Sequence, residues 1–332
     1  MSPLVQLNPQ GLYCAEGDFY VDPWLPVENA FITHGHSDHA REGSRNYFSS
    51  EKCLPILNYR LGSDISARGV PYGEKVKQGN VWVSFHPAGH ILGSAQVCIE
   101  SAYEVLVVSG DYKRDPDPTC DPFEVVQCDT FITEATFGLP IYKWPATEIV
   151  AKEILDWWTG NKEKKIASVL YCYSLGKAQR ILAELSKFTD ETVYVHGSTE
   201  NLNRIYRQEG VAFLPTKAVI EEKNGKSFSG DLILAPPSVE GGAFSKRFGT
   251  YSSGFASGWM RVRGARRRKA YDKGFVVSDH ADWPSLLKTV SETKAKSILV
   301  THGNSFPLVK HLNEQGISAK PLETAYEGET ET

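Results

Sequence analysis

The sequence predicts an α/β protein: an αβ/βα sandwich built from both ends of the chain, with a small α/β domain inserted between them. Up to about Gly138, short β-branched or aromatic-rich runs end in polar loops. From Pro145, strand-like runs alternate with segments of helical spacing, the texture of a small parallel α/β unit. After Lys269 the first texture returns. The expected boundaries are therefore 1–142 and 269–332 for the larger domain and 143–268 for the insert.

Residues 81–85, 95–100, 105–108 and 130–133 read as strands of the first part. In the insert, 147–158 carries apolar residues at helical spacing, 166–173 is a strand, and Ser174 is the expected N-cap of a helix over 178–188. A strand at 192–195, a helix at 201–208 and a strand at 231–235 follow. Beyond the insert, apolar strands at 274–278 and 296–301 end at Asp279-His280 and at His302. Asp282 and Pro284 signal the start of a helix over 285–291.

Bulk properties narrow the class without naming it. The 332 residues are 41% hydrophobic and 23% charged, as in an ordinary globular protein. No apolar run is long enough to span a bilayer, and Met1-Ser2-Pro3-Leu4 does not begin a secretory signal, so a cytoplasmic protein is expected. The six cysteines form no CxxC pair, which argues for buried thiols and against a disulfide framework. A net charge of −4 supplies no global attraction to nucleic acid, although a local basic surface remains open.

The chemistry concentrates in His34-Gly35-His36-Ser37-Asp38-His39, directly after the apolar run Ala30-Phe31-Ile32. Alternate residues of an extended segment project to one side, so His34 and His36 can grip one ion together. Asp38 and His39 then point to a neighbouring position as the chain turns into a helix. Two imidazoles and a carboxylate suit zinc, or manganese where oxygen ligands dominate. A merely His-rich surface loop is the plainer reading; the embedded Asp, the Gly and the preceding strand speak against it.

Further ligands come from other strand ends: His90 in a Gly-flanked loop, Asp111 after an apolar strand, and His302 near the end of the sequence. The expected site holds one ion with His34, His36 and His90, and another with Asp38, His39 and His302, with Asp111 touching both. Two divalent ions about 3.5–4 Å apart can ionise a shared water and neutralise the charge developing on a phosphodiester.

Together these residues resemble the metallo-β-lactamase fold and its β-CASP nuclease branch, over nearly the whole chain. The resemblance implies a metallo-β-lactamase sandwich carrying an inserted β-CASP domain, with Asp22 supporting the ligands from behind. Glu134 in Thr133-Glu134-Ala135-Thr136 resembles the branch's acidic motif A, His280 in Ser278-Asp279-His280-Ala281 its motif B, and His302 its motif C. By that resemblance Asp38, Asp111, Glu134 and His280 are catalytic, a metal-bridging hydroxide attacks, and His280, oriented by Glu134, protonates the leaving group.

Within the branch the sequence is most similar to the bacterial ligase-associated DNA exonucleases, compact relatives of the Artemis type. That implies 5′-to-3′ trimming of DNA ends in repair, with a DNA ligase and a helicase as partners. His302 departs from the Artemis pattern and resembles the mRNA 3′-end cleavage and RNase J branches, which keeps an RNA-processing role open. The residues also allow a non-catalytic β-CASP scaffold, which the intact ligand set opposes. A lactonase or thioesterase would share the His34–His39 run, but Glu134 and His280 speak against it.

For nucleic-acid contacts the sequence offers two basic groups. Arg261, Arg263, Arg266, Arg267, Arg268 and Lys269 fall within nine residues. Ser174, Lys177 and Arg180 open a helix whose free N–H groups suit a phosphate. Tyr251, Phe255 and Trp259 could stack on bases, or form a core strand.

Overall fold

The computed structural model describes residues 3–223, 225–262 and 271–326, in two compact units: residues 3–143 with 280–326, and residues 144–279. The first break falls near the expected 142. The return comes at His280 rather than 269, because the strand Lys273–Phe275 pairs with Tyr251–Ala256 at the edge of the second unit's sheet.

The first unit holds two sheets. One has six strands in chain order: Val5–Asn8, Gly11–Cys14, Phe19–Val21, Asn29–Phe31, Asn46–Ser50 and Ala67–Val70. The other has seven, in the order Ser318–Pro321, Ser297–Thr301, Thr130–Glu134, Val105–Val108, Ala95–Glu100, Val81–Pro87 and Val76–Gln78. Alternation along the strands assembles the layers. Phe19, Val21 and Phe31 from one sheet meet Val83, Phe85, Val97, Leu106, Val108 and Ile132 from the other in a single buried cluster. The opposite faces carry helices: Ile32 and Tyr47 pack on Leu57 of helix Leu54–Leu61. Val107, Phe131, Ile298 and Val300 pack on Leu286, Val290, Leu308 and Leu312 of helices Trp283–Thr293 and Phe306–Glu314. This is the expected αβ/βα sandwich. Asp282 caps helix Trp283–Thr293, accepting from the Ser285 amide at 3.0 Å.

The second unit is a six-stranded all-parallel sheet, with Leu170, Leu232 and Leu234 packed on Val150, Ile154, Ile181 and Leu182 of the helices. Val169, Tyr171, Ile233 and Phe255 point to the other face. Phe255 is buried and stacked on Tyr271 at 4.9 Å, so it serves the core, not a base. Helix Lys177–Leu185 is capped by Gly176, at φ 90°, and not by Ser174, whose hydroxyl instead meets Ser198 and Thr199. No helix among the described residues is long and apolar enough to cross a membrane.

Candidate dinuclear metal site

Three neighbouring strands of the seven-stranded sheet, Val105–Val108, Thr130–Glu134 and Ser297–Thr301, run parallel, so their carboxyl ends share one edge. Asp111, Glu134 and His302 emerge there, the register pairing Glu134 with Thr301. Strand ends of this kind are where α/β sheets place ligands. Close approach demands Gly110, at φ 55°: a Cβ there would lie 2.6 Å from the Thr33 Cβ. The opposite sheet supplies His34–His39 after strand Asn29–Phe31, as a turn in which the amide of Ala40 donates to the His36 carbonyl at 2.8 Å. No helix follows it, contrary to expectation. His90 enters from the loop between Val81–Pro87 and Ala95–Glu100.

The donors converge on Asp111. Its Oδ2 lies 3.5 Å from His34 Nε2, 3.6 Å from His39 Nε2 and 3.8 Å from His90 Nε2, and its Oδ1 lies 3.5 Å from His302 Nε2. His36 Nδ1 stands 3.1 Å from the Nε2 atoms of both His34 and His90, while His39 and His302 bring their Nε2 atoms within 3.2 Å. Ligands at zinc's bond length of about 2.0–2.1 Å are about 3.3 Å apart when tetrahedral, so these spacings are those of shared ions. Two groupings result, His34–His36–His90–Asp111 and Asp38–His39–His302.

Two further observations test the fit. Asp111 Oδ1 is buried and, among the described residues, accepts no hydrogen bond, which is costly unless a cation faces it. The hydrogen-bond network also assigns the tautomers. The hydroxyl of Thr33 donates to Asp22 at 2.6 Å, so it accepts from His34 Nδ1 at 3.0 Å; His39 Nδ1 donates to Asp22 at 2.7 Å. Both rings therefore turn Nε2 lone pairs inward, the arrangement by which carboxylates support ligating histidines. Charge inside the cluster is unbalanced. Burial would lower His39, yet Asp38, Asp111 and Asp22 raise it to about 10, while burial lowers His302 to about 3 and raises Asp111 to about 7. Divalent cations suit such a nest.

Beside the ligands stands a third grouping, Asp111–Glu134–His280. Glu134 is fixed by the Tyr112 amide at 2.7 Å and the Thr136 hydroxyl at 2.6 Å, and its Oε2 faces His280 Nδ1 at 3.0 Å. Burial would raise the Glu134 carboxyl, but His280 and these hydrogen bonds hold it below its ordinary range.

The basic residues read from the sequence divide differently. Lys177 and Arg180 are buried, with Lys177 Nζ 3.6 Å and Arg180 Nη1 3.5 Å from Asp279. They serve an internal carboxylate, which corrects the expected phosphate-facing surface. Arg261 is exposed at the end of a short helical turn; Arg263, Arg266, Arg267, Arg268 and Lys269 lie outside the described residues.

One residue of the site carries no signal in the sequence. Tyr326 lies parallel to both His39 and His302, at 4.6 and 4.7 Å and within 5°, and its hydroxyl donates to the carbonyls of Asp22 at 3.1 Å and Val21 at 3.3 Å. Asp22 and His302 both hold positive φ, 44° and 60°, a backbone cost of about 1–2 kcal/mol each for side-chain-bearing residues. Tyr326 touches both strained positions. A lone Tyr after the last strand carries no motif that could have flagged it.

No family model matches the chain. A probable DNA ligase of Opitutus terrae is 30% identical over 311 residues, covering 93% of this chain and 30% of that protein. An RNase J-like protein of Methanocaldococcus jannaschii is 26% identical over 143 residues, covering 41% of this chain and 34% of that protein. Endoribonuclease ysh1 of Aspergillus fumigatus is 28% identical over 148 residues, covering 37% of this chain and 17% of its own. The chain thus spans about a third or less of these relatives. A protein of unknown function from Enterococcus faecalis V583 shares the fold, with a TM-score of 0.58 at 13% identity over 90% of this chain and 80% of that one.

Proposed function

The chain belongs to the metallo-β-lactamase/β-CASP superfamily, and from that premise we propose that it is a metal-dependent nuclease that trims DNA ends from the 5′ side during repair. The observation that carries the reading is the Glu134–His280 pair, 3.0 Å apart, set against Asp111 at the edge of the ligand cluster. Ester hydrolysis at a small acyl substrate needs no such proton donor; expulsion of a ribose or deoxyribose oxygen does.

His34, His36, His90, Asp38, His39 and His302 would hold two divalent ions, zinc or manganese, with Asp111 shared between them. When bound, such ions supply Lewis-acid neutralisation of phosphoryl charge and bring the pKa of water toward neutrality. The protein's own residues do the rest. Glu134, fixed by Tyr112 and Thr136, engages His280 Nδ1, which leaves Nε2 to deliver the proton to the leaving oxygen. Asp22 and Thr33 hold His39 and His34 in the ligating tautomer.

DNA is favoured because the relative matched along 93% of this chain is named a probable DNA ligase, and a nuclease module beside a ligase suits end repair. RNA is the second reading, favoured by relatives named as RNA-cleaving enzymes. The test is a strand- and end-labelled cleavage assay on matched DNA and RNA with Mn²⁺, Mg²⁺ and Zn²⁺, run beside His280→Ala. Shortening of 5′-phosphorylated DNA from one end is expected, with His280→Ala slower by about 10²–10⁴-fold. RNA cleavage alone would replace the DNA reading, and a fully active His280→Ala would remove the assigned proton donor.

A further inference from the structure

With Lys177 and Arg180 buried, accessible cations close to the candidate ligands come into view as contacts for a strand. In the first unit a cavity of about 390 Å³ opens beside the ligand run, lined by Trp24, Ser37, Ala40, Arg41, Glu42, Arg60 and Leu61. Ser37, between the candidate ligands His36 and Asp38, is exposed and lines it, so the cavity borders the loop that carries them. Its size falls within the range of about 300–1,000 Å³ that suits small ligands.

Its lining carries two positive groups and one negative. Among the described residues, Arg60 makes no ion pair or hydrogen bond, and Arg41 makes one, from its Nε to the Asp38 carbonyl at 3.4 Å. Against these two guanidinium groups stands Glu42, exposed to solvent, so the lining keeps a net positive charge. Neither guanidinium has a carboxylate partner of its own among the described residues, and the planar fork of guanidinium suits a phosphate.

Trp24 supplies the other half of a nucleotide's chemistry. Its indole is pinned by a hydrogen bond from Nε1 to the Pro9 carbonyl at 2.7 Å and meets the Tyr326 ring edge-on at 5.6 Å. A ring whose orientation is already fixed can stack a base with little loss of freedom.

Resting on the nuclease reading above, we infer that the Trp24–Arg41–Arg60 cavity is a substrate subsite that binds a nucleotide next to the scissile bond, the arginines taking its phosphates and Trp24 its base. None of these three side chains belongs to the metal ligands or to the two basic groups at Ser174–Arg180 and Arg261–Lys269.

Cleavage kinetics of the metal-replete protein on a short end-labelled single strand, taken across a salt series, test this. For Arg41→Gln/Arg60→Gln, KM rises about tenfold or more with kcat within about twofold. The slope of log KM against log salt flattens by about 1.4, since each single-strand phosphate contact contributes about 0.7. Trp24→Leu raises KM about tenfold and leaves that slope unchanged. Arg41→Lys/Arg60→Lys keeps the slope, and it guards against loss of fold in the Gln variant, whose melting temperature is recorded alongside. Parental KM and slope in a folded Gln variant would overturn the subsite while leaving the nuclease intact. A parent that cuts neither DNA nor RNA would instead overturn the nuclease reading, and the subsite with it.

Discussion

The two halves of the metal site meet at Asp111 yet are held in different ways. His34, His36 and His90 come from two loops, their nitrogens 3.1 Å apart, with Thr33 setting the His34 tautomer. Asp38, His39 and His302 form the other half, which depends on Asp22 and His302 at positive φ and on the Tyr326 ring lying against both imidazoles. One half is loop-built and unstrained at its ligands; the other keeps an unfavourable backbone in place through neighbours that touch no ion. Strain of that kind persists only where surrounding structure over-determines it. The second half should therefore be the more fragile.

The largest effect should come from the group common to both. Asp111→Asn is expected to lower cleavage by about 10³-fold or more and to weaken both ions, read by rates and by metal content from mass spectrometry. Next, His90→Ala and His302→Ala should each lose one ion, from opposite halves, with activity falling by about 10²-fold or more. If either loses both, the halves are not separable and the comparison fails. Asp22→Asn should cost about 10–100-fold in affinity for the ion of the second half and less for the other in a chelator competition, because Asp22 meets His39 directly but reaches His34 only through Thr33. Tyr326→Leu should weaken the same ion by about tenfold, and Tyr326→Phe, which keeps the ring and loses only the hydroxyl, by less. Equal weakening of both ions in Tyr326→Leu would mean that the ring supports the whole site.

Much of this was legible from residue order. Strands ending in His or Asp, and the spacing of His34 to His39, announce the residues that converge on Asp111, because alternation and strand-end turns are local properties. Asp282 announced its helix for the same reason. Charge was less legible. Lys177 and Arg180 read as a phosphate-facing helix start, but burial is decided by what packs around a helix, and here both meet Asp279 about a hundred residues onward. Ser174 lost the capping role to Gly176 because its hydroxyl found Ser198 and Thr199. Arg41, Arg60 and Trp24 gave no signal, since they approach one another only when two loops meet helix Leu54–Leu61.

The pairing of Thr130–Glu134 with Ser297–Thr301 also has a consequence for how the chain reaches its native state. As the polypeptide lengthens, Thr130–Glu134 can join Val105–Val108 at once, but its other edge must wait until residue 301 has been made. In that interval it is an unpaired edge bearing Phe131 and Ile132, the type of surface on which chains aggregate. Closure over so long a separation is slow, and until it happens neither Tyr326 nor His302 is in place. The candidate metal site is therefore assembled last, once Ser297–Thr301 has paired.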